Sequence, residues 1–84
     1  LLGYNKYELK DGFLYLTALE KKSWNNFINF INYPEKMNVH SDDSYESAAS
    51  KKFITFLKKF KKGFFEKYPE SKRCFHITET HHTE

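Results

Sequence analysis

The stretch 47–68, SAASKKFITFLKKFKKGFFEKY, constrains this chain more than any other. At about 100° per residue, Phe53, Phe56, Leu57, Phe60 and Phe64 fall on one stripe with Tyr68 at its edge. Lys51, Lys52, Lys58, Lys59 and Lys62 fall on the far side. A strand would put Phe53 and Leu57 on the same face as Lys51 and Lys59, so the period favours a helix. The pattern predicts a helix over 44–67, ended by Pro69 and opened by a capping-box spacing from Asp43 to Glu46.

A second helical pattern precedes it. Leu16, Leu19, Phe27 and Ile31 share a face, with Trp24 and Phe30 on its shoulders, and Tyr33-Pro34 supplies a stop. Residues 4–17 read in two ways. Asp11-Gly12 between KYELK and FLYLT is a hairpin signal, or Asp11 caps one long helix running to Asn32, the reading favoured here. The expectation is a mainly α domain: two long amphipathic helices packed antiparallel, with the N-terminal segment a further helix or a short β-hairpin. One small helical domain over 1–77 precedes a polar tail at 78–84, expected to fray. Two helices leave part of each stripe wet, which makes self-association one way to cover it.

Sixteen aromatics in 84 residues give a small chain the apolar area for a core. A single cysteine excludes an internal disulfide framework. No run approaches a membrane span, and no secretory signal pattern is present. The compartment is not readable. The opening Leu1-Leu2-Gly3, without Met, reads as a fragment or processed form.

Charge is uneven. Residues 51–73 carry nine cations against Glu66 and Glu70, a net of +7, leaving −4 for the rest of a chain whose total is +3. Such a stripe attracts phosphate. Thirteen lysines against one arginine argue against base-specific reading, and A/T-rich codons alone can produce that bias. A stripe of phenylalanines backed by lysines also suits an anionic membrane surface, but the fold needs that stripe as its core.

Candidate chemistry is sparse. Cys74, His76, His81 and His82 have zinc-ligand types at a spacing that matches no common zinc pattern, so no metal is expected. His40 with Ser41, Asp42 and Asp43 offers catalytic residue types on a polar loop without preorganisation. The three glycines form no phosphate loop, and Gly63 reads as close packing against a bulky neighbour. Length and charge are similar to those of an HMG box, whose proline-led start and arginine-rich pattern are absent. DGFLYLTAL with Phe27 resembles part of the KilA-N type of DNA-binding domain over less than a third of the chain. Neither resemblance supplies a residue role, so neither assigns a family.

The sequence therefore points to a non-catalytic protein-interaction module within a larger protein or assembly, without cofactor or small-molecule substrate. Trp24, Tyr33 and Tyr68 are its candidate contact residues, since aromatics concentrate at binding hot spots. The alternative is a non-specific binder of nucleic acid or an anionic membrane through Lys51, Lys52, Lys58, Lys59 and Lys62.

Overall fold

Residues 4–17 alternate between core and solvent, and that period makes them a hairpin. In the computed structural model, which describes residues 1–79, β1 (Tyr4–Leu9) pairs antiparallel with β2 (Gly12–Thr17), Tyr7 opposite Leu14 and Asn5 opposite Leu16. Tyr7, Leu9, Leu14 and Leu16 are buried, while Tyr4, Lys6, Glu8, Tyr15 and Thr17 face water. The turn is Lys10-Asp11, one residue earlier than the Asp11-Gly12 signal suggested, and Gly12 already belongs to β2. A third strand, β3 (Phe75–Glu79), pairs antiparallel with β2, so the sheet order is β1-β2-β3. Thr78 and Glu79, assigned by sequence to a fraying tail, lie in that strand.

Helix α1 (Lys21–Phe30) is shorter than expected, because Leu16 belongs to the sheet and Leu19 is exposed. Its buried face is Trp24, Phe27 and Ile28. Asn32, not Tyr33-Pro34, turns the chain out of the helix. It adopts φ 56°, with its own N–H donating to Asn29 O and that of Tyr33 to Ile28 O, the paired bonds of a Schellman end. This turn swings Tyr33 back into the core, where its ring meets Phe53 at 5.1 Å and Phe56 at 4.9 Å.

The basic segment is not one helix. It forms α2 (Ala48–Leu57) and a single turn, α3 (Lys62–Phe65), separated by residues 58–61. Ser47 caps α2, its hydroxyl accepting from Ser50 N–H at 3.1 Å. Asp43 instead accepts from His40 N–H, so the Asp43–Glu46 capping box does not form. The hairpin turn occupies the break. Phe60 O accepts from Lys10 N–H at 2.9 Å, and the Asp11 carboxylate accepts from Lys62 N–H at 2.8 Å, doing for α3 what a residue of its own would do at an N-cap. Gly12 is required by this approach, since a Cβ there would stand 2.1 Å from Thr78 O and 2.9 Å from Lys62 Cδ. Gly63 has open space around it, which overturns the close-packing reading.

The break also rotates the aromatic stripe. Phe53 and Leu57 are fully buried, but on α3 it is Phe65, absent from the expected stripe, that is fully buried, while Phe64 is half-exposed. The mainly α architecture of two long packed helices is thus overturned. The chain is a small α/β domain, a three-stranded antiparallel sheet with helices on one face. Two short 3-10 turns, Lys36–Asn38 and Glu70–Lys72, complete it. Between the layers the aromatics interlock: Phe65 contacts Phe27, Phe30, Phe60, Phe64 and Phe75 with ring centroids 5.3–6.3 Å apart.

Candidate functional site

The Schellman turn after α1 and the exposed flank of α2 enclose a groove of about 430 Å³. Tyr33, Pro34 and Phe56 form its apolar lining, with Thr55 beside them. Lys51, Lys52 and Lys59 stand on its rim together with Glu35. The helical period places Lys52, Phe56 and Lys59 along one flank, because residues three and four apart are neighbours.

The rim charges are not equivalent. Lys52 Nζ donates to Glu35 Oε2, and Asn38 Nδ2 donates to Glu35 Oε1 at 3.3 Å. The Lys52 bond first, then the Asn38 bond, hold the Glu35 carboxyl below the usual carboxylate range. The same bond raises Lys52 above its ordinary value, so both groups stay ionised at neutral pH. Burial, then the nearby Glu35 charge, push the Tyr33 phenol up. Among the described residues no carboxylate pairs with Lys51 or Lys59, and Lys59 Nζ lies 5.7 Å from the centre of the Phe56 ring. The groove thus offers an apolar seat, two open cations and a third held by an acid.

The residues singled out by sequence separate into different roles. Trp24 and Tyr33 are core residues, 4% and 5% exposed, each with an edge reaching a groove wall. Tyr68 is half-buried between the rings of Phe30 at 4.8 Å and Phe75 at 5.7 Å. Of the five lysines, Lys51, Lys52 and Lys59 line the groove and Lys58 does not. Lys62 is engaged in the fold: its side chain lies across Gly12 and its ammonium meets Glu79 at 3.4 Å. Breaking the helix therefore dissolves the continuous basic stripe. Sequence reasoning did not single out Pro34, Glu35 and Phe56 as a site. Their convergence depends on the turn at Asn32, which has no periodic signal.

The other candidates are structural or lie outside the description. The Ser41 hydroxyl donates to Leu19 O at 2.8 Å, and the backbone carbonyls of Ser41 and Asp43 accept from Gly3 and Leu2, so this loop ties down the start of the chain. His40 Nδ1 is 3.6 Å from Asp43 Oδ2 on an exposed surface. His81 and His82 lie outside the described residues. Among the described residues no group of three or more His, Cys, Asp or Glu gathers as a metal would require. Burial pushes the Cys74 thiol up, which disfavours the reactive thiolate. A wider depression of about 590 Å³ lies on the far side of α1, where Leu19, Trp24 and Met37 meet Lys21, Lys36 and Asp42. Its charges are mixed and converge on no one ligand type.

No helix among the described residues is long and apolar enough to cross a membrane. No protein-family model, curated protein or solved structure matches this chain.

Proposed function

We propose that this domain is a non-catalytic protein-interaction module that takes an acidic segment of a partner protein in the groove between α2 and the turn after α1. The observation that carries the reading is the juxtaposition of an apolar seat, Tyr33, Pro34 and Phe56, with the open cations Lys51 and Lys59. An apolar side chain of the partner fills the seat, and carboxylates flanking it meet the two ammoniums. Burying one such side chain contributes about 1.5–3 kcal/mol, and the rim charges add on-rate and partner choice more than affinity. With so small a contact, the affinity is micromolar at best.

The rival reading, a polyanion binder, rests on the exposed ammoniums of Lys51, Lys52, Lys58 and Lys59. The two part in one experiment. A labelled peptide with a central Leu or Phe between glutamates is titrated by fluorescence anisotropy beside an arbitrary DNA duplex, at low and moderate salt. The groove reading expects saturable peptide binding that falls with Phe56→Ala and with Lys51→Glu/Lys59→Glu, and is indifferent to Lys58→Gln. Duplex binding that collapses with salt and weakens at every lysine equally, Lys58 included, favours the polyanion. Peptide binding that ignores Phe56 rejects the groove.

A further inference from the structure

We propose that β3 is a pairing edge for a second copy of this chain, the two β3 strands running antiparallel about a two-fold axis at Ile77. This inference is independent of the groove. The Thr17 N–H donates to Cys74 O at 2.8 Å, and with Tyr15 opposite His76 and Phe13 opposite Thr78 this sets which groups face β2. Cys74, His76 and Thr78 turn their backbone groups inward, while Phe75, Ile77 and Glu79 turn theirs outward. Among the described residues none of these three outward N–H groups has a hydrogen-bond partner.

The opposite edge of the sheet is treated differently. On β1 the outward N–H groups of Tyr4 and Lys6 donate to Leu1 O at 3.1 Å and Asn5 Oδ1 at 2.8 Å, and that of Lys10, just past the strand, to Phe60 O at 2.9 Å, which leaves only the outward N–H of Glu8 without a partner among the described residues. Edge strands are blunted in this way, or by lysine and proline, because unpaired edges recruit other strands. β3, FHITE, has neither residue and is rich in strand-forming types. A groove of about 330 Å³ runs beside it, lined by Glu66, Glu70, Arg73, Phe75 and Ile77 among others, so the edge is open to an incoming strand.

The occupant is a second copy because the strand is complementary to itself. With Ile77 on the axis, Ile77 meets its own counterpart, His76 meets Thr78, and Phe75 meets Glu79 of the second copy. Each outward residue then exchanges both backbone bonds with its opposite. Arg73 lies on the same face as Phe75, its guanidinium 5.8 Å from that ring, and stands diagonal to Glu79 of the second copy. Its Nε and Nη2 already donate to Tyr68 O and Glu66 O, both at 2.9 Å, which orients the guanidinium and leaves its Nη1 donors for a carboxylate. Glu79 is highly exposed, and in its own chain meets only the Lys62 ammonium among the described residues.

Sedimentation velocity on the whole chain over a concentration series tests this. The expected result is a dimer fraction that rises with concentration, is abolished by Glu79→Pro, which removes one outward N–H, and weakens about tenfold with Glu79→Arg, which sets like charges across the axis. The double swap Arg73→Glu/Glu79→Arg restores most of the loss. Circular dichroism verifies that each variant is folded, and Glu79→Arg, which leaves the backbone unchanged, stands if the proline variant is not. A chain that stays monomeric throughout, or a dimer indifferent to a folded Glu79 variant, overturns the proposal.

Discussion

At the residue scale, one acid holds the two halves of the molecule in register. Asp11 sits in the hairpin turn, yet its carboxylate satisfies an N–H at the start of α3, fifty-one residues away in sequence. Replacing it with Ala leaves that N–H without its acceptor and removes a negative charge from the helix start. The expected loss is about 1 kcal/mol, read from denaturant unfolding with an unchanged m-value. Glu35 acts in the opposite sense on the groove. It occupies the place on Lys52 that an incoming carboxylate would take. Glu35→Gln is therefore expected to tighten acidic peptide binding several-fold in the anisotropy titration, with the gain lost at higher salt.

At the scale of elements, the break between α2 and α3 decides which aromatics form the core. Continuing the α2 period places Phe64 inward, whereas the observed turn places Phe65 there, fully buried. Phe65→Ala is expected to destabilise by about 3–5 kcal/mol, and Phe64→Ala by clearly less, in the same unfolding measurement. Equal losses would restore the continuous helix. The core identity of Phe53 and Leu57, and the presence of a helix around them, were legible in the sequence because local period alone determines them. The break was not legible: Lys58, Lys59 and Lys61 fit a helix well, and what interrupts them is the Lys10-Asp11 turn arriving from the other end of the chain. The hairpin was half legible. KYEL and LYLT alternate as strands should, but Phe13 and Tyr15 on the outer face mimic a helical apolar run. The lysines of the groove were visible one by one. Their grouping with Pro34 and Phe56 was not, since it depends on Asn32 entering the left-handed region.

At the scale of the whole molecule, a small sheet gains stability from an aromatic layer with few polar groups inside it. Tyr7 carries one of them: its phenol donates to Leu2 O, and its ring meets Phe53 edge-on at 5.7 Å. Burial pushes this phenol well above the ordinary tyrosine value. The folded state therefore keeps a proton that the unfolded chain releases near pH ~10, so stability is complete below that pH and falls as pH rises beyond it. The expected outcome is cooperative alkaline unfolding starting just above the ordinary tyrosine range. Tyr7→Phe should be less stable at neutral pH by about 1 kcal/mol, through its lost hydrogen bond, and less sensitive to alkali. A Tyr7 that titrates normally in a folded protein, followed by ultraviolet absorbance, would contradict the burial argument.

The molecule's charges divide into those paired within the fold and those left open at its surface. Lys62 and Lys52 are held by Glu79 and Glu35, while Lys51 and Lys59 flank an apolar seat without a described partner acid. The most direct test is a titration of the 15N-labelled domain with the acidic, leucine-centred peptide, followed by amide chemical shifts. Saturable shifts are expected at Tyr33, Glu35, Lys51, Lys52, Thr55, Phe56 and Lys59, with Lys58 and the strands of the sheet silent. Shifts spread over every lysine-bearing surface, or centred on the depression around Met37, would contradict it.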